Sequence, residues 1–104
     1  MNTIIRKGHS YRITVEEINL PEQQTGKTLD FELQDREDLF NVVNNLQKGS
    51  GLEPSLATKV AVAIRLLGPV MMENRKHPLF VEFMPHFKSF MHNLKSTVKS
   101  AVKN

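Results

Sequence analysis

Apolar positions in this chain follow a period of two near the N-terminus and a helical period thereafter, and the switch divides it into a hairpin and a set of helices. From Ser10 to Leu20, Tyr11, Ile13 and Val15 alternate with Arg12, Thr14 and Glu16, the pattern of a strand with one apolar face. The phase slips at Glu17, so that Ile18 and Leu20 fall on the other face, and a β-bulge near Glu16–Glu17 is expected. Pro21 to Gly26 carries turn residues. Lys27 to Gln34 alternates again, with Leu29, Phe31 and Leu33 against Thr28, Asp30 and Glu32. Two such strands with a short polar connection predict an antiparallel hairpin.

The helical period begins after Asp35, which is expected to be an N-cap with Glu37 and Asp38 in the first turn. Leu39, Val43 and Leu46 form the apolar face of this helix, and Gly49 and Gly51 stop it. Leu52 to Lys76 predicts a second, longer helix, with Pro54 tolerated at its start. Wound at about 100° per residue, Ser55, Thr58, Lys59, Arg65, Glu73 and Lys76 share one narrow stripe. The remainder is apolar, so burial on most sides is expected, with a kink at Pro69. Pro78 opens a third segment, Pro85 breaks it, and a last helix runs to about Val98. The fold expected is α+β, an antiparallel β-hairpin followed by three or four helices, the long second helix kinked at Pro69. Residues 1–9 form an N-terminal extension, 10–98 a single domain, and 99–104 a fraying basic tail.

The apolar seam that begins at Phe80 carries the largest burial energy. Four of the six phenylalanines, Phe80, Phe83, Phe87 and Phe90, lie within eleven residues at a spacing of three, four and three. Leu94 continues this seam, with Met84, Met91 and Val98 beside it. Packed within the chain, on the long helix and the hairpin face, the seam is core. Shared across a two-fold dimer, it offers Phe83, Phe87, Phe90 and Met91 as a candidate interface. The hairpin adds weight to self-association, because two strands alone are marginal and leave open edges. Helices over those edges, or a third strand from Thr3 to Arg6, would remove that argument.

Composition changes the picture in three ways. The length of 104 residues implies one domain. The absence of cysteine excludes disulfides and thiolate metal sites and fits a reducing compartment. Met1 to Ser10 has no apolar run of signal-peptide length, and the stretch from Val60 to Met72 is interrupted by Arg65, Gly68 and Pro69. A cytoplasmic protein without a membrane partner is therefore expected.

The net charge of +3 is unevenly laid out. Eight of the eleven acids fall between Glu16 and Asp38, whereas Pro85 to Asn104 holds four lysines and no acid. Lys88, Lys95 and Lys99 share a helix face, which Lys103 continues, and Arg75 and Lys76 close the long helix beside His77. These five, Arg75, Lys76, Lys88, Lys95 and Lys99, are the candidate anion contacts. The competing reading is a solvated face, with Arg75 and Lys76 complementing the helix dipole. One tyrosine and no tryptophan leave no stacking platform for single strands, so nucleic acid is the weaker expectation.

No catalytic constellation emerges. His86 and His92 are six apart and diverge around a helix, with no carboxylate at ligand spacing. Gly49-Ser50-Gly51 lacks the lysine and preceding strand of a phosphate loop, and Glu16 and Glu17 point to opposite strand faces. No activity, metal or cofactor is expected. The reading is a small interaction or structural protein that self-associates as a homodimer. The alternative is an accessory protein that holds nucleic acid or another anionic partner through its C-terminal lysines.

Several short motifs carry a resemblance. Tyr11-Arg12-Ile13-Thr14-Val15, the start Asp38-Leu39-Phe40, the run Asn74-Arg75-Lys76-His77-Pro78-Leu79-Phe80, and Phe90-Met91 followed by Leu94-Lys95 are similar to a small bacterial family known only as a domain of unknown function. The similarity spans about Ser10 to Lys95. It implies a compact cytoplasmic α+β domain and brings no activity, ligand or catalytic residue with it. The N-terminal extension and the lysine-rich tail depart from the pattern.

Overall fold

A computed structural model describes residues 8–103, with side chains described as far as residue 101. Its elements are β1 (His9–Glu16), β2 (Thr28–Asp35), α1 (Leu39–Gly49), α2 (Pro54–Glu73), α3 (Pro78–Val81) and α4 (Met84–Lys103). A two-stranded antiparallel hairpin followed by four helices is the α+β order the apolar pattern predicts. The chain divides into two compact units, the hairpin through Asp38 and the helices from Leu39.

In the hairpin unit the ladder runs without a slip from His9↔Asp35 to Glu16↔Thr28. Tyr11↔Leu33, Ile13↔Phe31 and Val15↔Leu29 place six apolar side chains on one face. On the other, Arg12 Nη2 donates to Glu32 Oε2 at 3.0 Å across the strands. Both side chains are mostly exposed, so this pair contributes at most about 1 kcal/mol.

The expected bulge is corrected. β1 ends at Glu16, and Glu17 N donates to Lys27 O at 2.9 Å as the chain leaves the ladder. Asn19 and Gln23 then adopt positive φ, 60° and 68°. The slip in apolar phase thus falls beyond the end of β1 rather than at an extra residue in a strand. Asp35 is also corrected, since it ends β2 and caps no helix. Its buried carboxylate accepts from Glu37 N at 3.1 Å, an Asx turn that leaves Glu37 and Asp38 ahead of α1. The alternative of a third strand over Thr3–Arg6 lies outside the described residues, as does most of the expected extension.

In the helical unit, α1, α2 and α4 meet around small side chains. Ala57 and Ala61 are fully buried with Leu46 and Ile64, and Val43, Met91, Leu94 and Val98 pack against them. A second cluster joins Met71, Met84 and Phe87, with Phe80 and Met91 alongside. Met91 belongs to both and makes the interior continuous. The C-terminal end of α2 meets the N-terminal end of α4, so the two helices run in opposite directions.

The small residues matter because they let the backbones approach. A Cβ at Gly49, the last residue of α1, would lie 3.1 Å from both Cα and O of Val98 on α4. At Gly51 the φ of 85° turns the chain out of α1.

α2 differs from the expectation of burial on most sides. It buries Ala57, Ala61, Ile64, Gly68 and Met71, one stripe that repeats at four and three residues. Leu56, Leu67, Val70 and Met72 stay 43–49% exposed. A helix contacted along a single arc can cover only that arc, however apolar its other flanks are. The helix runs uninterrupted through Pro69. By length and hydropathy, averaging 1.4 over eighteen residues, α2 resembles a membrane span, yet its stripe packs on the neighbouring helices.

The two later prolines sit where a missing N–H costs nothing. Pro78 opens α3, whose N-terminus is capped by His77, with Nδ1 accepting from Leu79 N at 3.1 Å. Pro85 lies in the first turn of α4, which extends to Lys103 rather than ending near Val98.

Phe87→Ala is expected to lose about 3–5 kcal/mol of stability and Leu79→Ala, at an exposed site, about 0.5 kcal/mol or less. Gly49→Ala is expected to lose about 1–3 kcal/mol by forcing α1 from α4. Urea denaturation followed by circular dichroism measures all three, and equal losses at Phe87 and Leu79 would refute this placement of the core.

Candidate functional site

The buried stripes of α2 and α4 leave two flanks on the helical unit, and they differ in chemistry. On one flank the helices diverge to form a cleft of about 440 Å³. Ile64, Gly68 and Met72 from α2 and Phe87 and Met91 from α4 line its apolar part. Arg65 borders it from α2, and Lys88, His92 and Lys95 border it from α4. The three α4 residues follow a four-then-three spacing, which sets them along one side of a helix. Among the described residues, no carboxylate lines the cleft.

The structure therefore joins Lys88 and Lys95 as the sequence suggests, and it adds Arg65 and His92 from outside the expected set. Arg65 had a signal in the polar stripe of α2, but its partner helix could not be read from spacing. Lys99 stands one turn beyond Lys95 on α4 without lining the cleft, and the side chain of Lys103 lies outside the described residues. Arg75 and Lys76 are exposed in the connection between α2 and α3 and take no part in it. There Asn74 Nδ2 donates to Val70 O at 2.8 Å, closing the end of α2.

The other flank is mostly apolar, with the exposed Lys59 at its edge. Leu56, Val60, Ala63, Leu67 and Val70 recur at four and three residues along α2, on the side of the buried stripe away from the cleft. Phe83 and Phe90 hold the corresponding side of α4, with His86 and Asn93 beyond them. Leu56, Leu67, Val70, Phe83 and Phe90 are each 43–49% exposed. The four candidate interface residues therefore separate. Phe87 is buried and Met91 half-buried, whereas Phe83 and Phe90 face outward, and the rings of Phe83 and Phe87 lie tilted 6.1 Å apart.

The hairpin unit carries exposed apolar surface of its own. Val15, Leu29 and Phe31 are 54%, 61% and 39% exposed on its apolar face. Among the described residues β1 and β2 have no further strand on their outer edges. Nor does any group of three His, Asp or Glu residues lie close enough there to hold a metal ion.

Comparison with known proteins bears on these features. No curated protein matches the chain. A crystal structure of a protein of unknown function from Pectobacterium atrosepticum is similar at 40% identity and a TM-score of 0.74, covering 86% of this chain and 98% of that one. Residues 9–96, from the first residue of β1 to beyond Lys95 on α4, match DUF3861, a domain of unknown function with a solved structure. On that match the chain belongs to the DUF3861 family.

Proposed function

We propose that this chain is a self-associating interaction or structural protein that acts as a homodimer. The observation that carries the reading is the mostly apolar flank of α2 and α4, where five large apolar side chains remain 43–49% exposed. Such apolar surface gains most from being covered. A second copy of this chain suits it, because a face with Lys59 only at its edge meets its own two-fold image with little like-charge repulsion. The half-exposed face of the hairpin and its open edges add apolar area and hydrogen-bonding groups to the surface available for pairing.

The second reading places an anionic polymer on Lys88, Lys95 and Lys99, which share a side of α4. Three or four lysines neutralise few phosphates, so such binding would be weak and would fall steeply with salt. The apolar flank involves more burial, and self-association is the reading preferred.

Light scattering after size exclusion is expected to give twice the 11.9 kDa chain mass at both low and high salt. Phe90→Glu and Leu67→Glu, which alter exposed positions, are expected to return it to the mass of one chain while leaving the circular dichroism unchanged. A single-chain mass for the wild type at high protein concentration would refute the homodimer.

A further inference from the structure

The geometry points to a second role for the helical unit: we propose that the cleft between α2 and α4 binds a small amphiphilic carboxylate, with its hydrocarbon chain on the apolar floor and its carboxylate among the rim cations. This does not depend on self-association, since the cleft occupies the opposite flank.

Three features of the cleft specify the ligand. Its volume of about 440 Å³ falls within the range of small-molecule sites. Its floor joins Ile64, Gly68 and Phe87 to the sulfur-bearing Met72 and Met91. Methionine side chains adapt to flexible apolar shapes, as a linear hydrocarbon chain requires. Its rim carries Lys88 and Lys95 on α4 beside Arg65 on α2, with no acid among the described lining residues. Lys88 and Lys95 attract an anion placed there.

A nucleic-acid backbone fits this arrangement less well, because phosphates would engage the rim and leave the floor uncovered. A neutral hydrocarbon would fill the floor and leave the cations unused. A molecule with both parts uses the whole site. The floor is held in place by the helix packing, since Phe87, Ile64 and Gly68 are buried.

The probe is dodecanoate below its micelle concentration, titrated into the full chain by calorimetry and by amide NMR. Expected are saturable binding at one site per chain and shifts confined to the cleft segments of α2 and α4. Dodecanol is expected to bind about tenfold more weakly, and the double variant Lys88→Glu/Lys95→Glu to weaken dodecanoate by about tenfold or more. Met72→Glu, a substitution at a half-exposed position, introduces an acid into the cleft and is expected to abolish binding without loss of fold. Phe90→Glu, on the other flank, is expected to bind as the wild type does.

Lack of saturable binding would overturn the proposal. So would equal affinity for dodecanoate and dodecanol, full affinity in the folded lysine variant, or shifts outside the cleft. Stronger binding of an oligonucleotide or an acidic peptide, displacing dodecanoate from the same residues, would assign the site to that partner instead. Loss of dimer mass without loss of dodecanoate binding would separate failure of the homodimer from failure of this site.

Discussion

The close approach of α1 both to the small-residue stripe of α2 and to the backbone of α4 is the constraint on which the helical unit depends. Ala57 and Ala61 have no side-chain length to hold neighbours away, and Gly49 lets the end of α1 reach the backbone at Val98. Leu46, Ile64, Leu94 and Val98 fill the space this approach leaves, and Met91 carries the packing on to Met71, Met84 and Phe87. Dispersion and apolar burial both require such short distances, so widening one crossing loosens all three helices.

That same economy of contact creates the two surfaces. Packing along one arc of α2 covers a single stripe and leaves a flank on each side. On the cleft side, apolar and cationic groups adjoin, which suits a ligand that has both kinds of surface. On the opposite side, charge is confined to Lys59 at the edge, and aliphatic and aromatic groups are half covered. The hairpin follows a related logic. Its register puts Tyr11, Ile13 and Val15 opposite Leu33, Phe31 and Leu29, and two strands are too few to bury the face they create.

Much of this was legible in the residues. Strict alternation in Arg12–Val15 and Thr28–Leu33 identified both strands, because a period of two has one structural solution. The helix boundaries at Gly49 and Pro78 followed from backbone chemistry that is local to those positions, whereas the long helix expected from Leu52 to Lys76 spans Pro54–Glu73. The errors arose where a local signal had two solutions. Asp35 has the side chain of a cap, but an Asx turn satisfies the same oxygen two residues on. The slip at Glu17 suits a bulge or an exit from the ladder, and the unbroken register to Glu16↔Thr28 shows the exit. The cleft was half visible, since Lys88 and Lys95 share a face by spacing alone, while Arg65 joins them from another helix.

The sequence by itself determined the hairpin, the order of the helices, the DUF3861 relationship and the uneven distribution of charge, all of which rest on periodicity or local composition. Only the tertiary structure decided which of several apolar faces became core. α2 is apolar almost all round, so its hydropathy could not choose among its flanks; the positions of α1 and α4 did. The phenylalanine seam divided for the same reason. Phe87 points along the line between two helices and is buried, while Phe83 and Phe90, some 40–60° around the helix from it by the 100° turn per residue, pass outside that line.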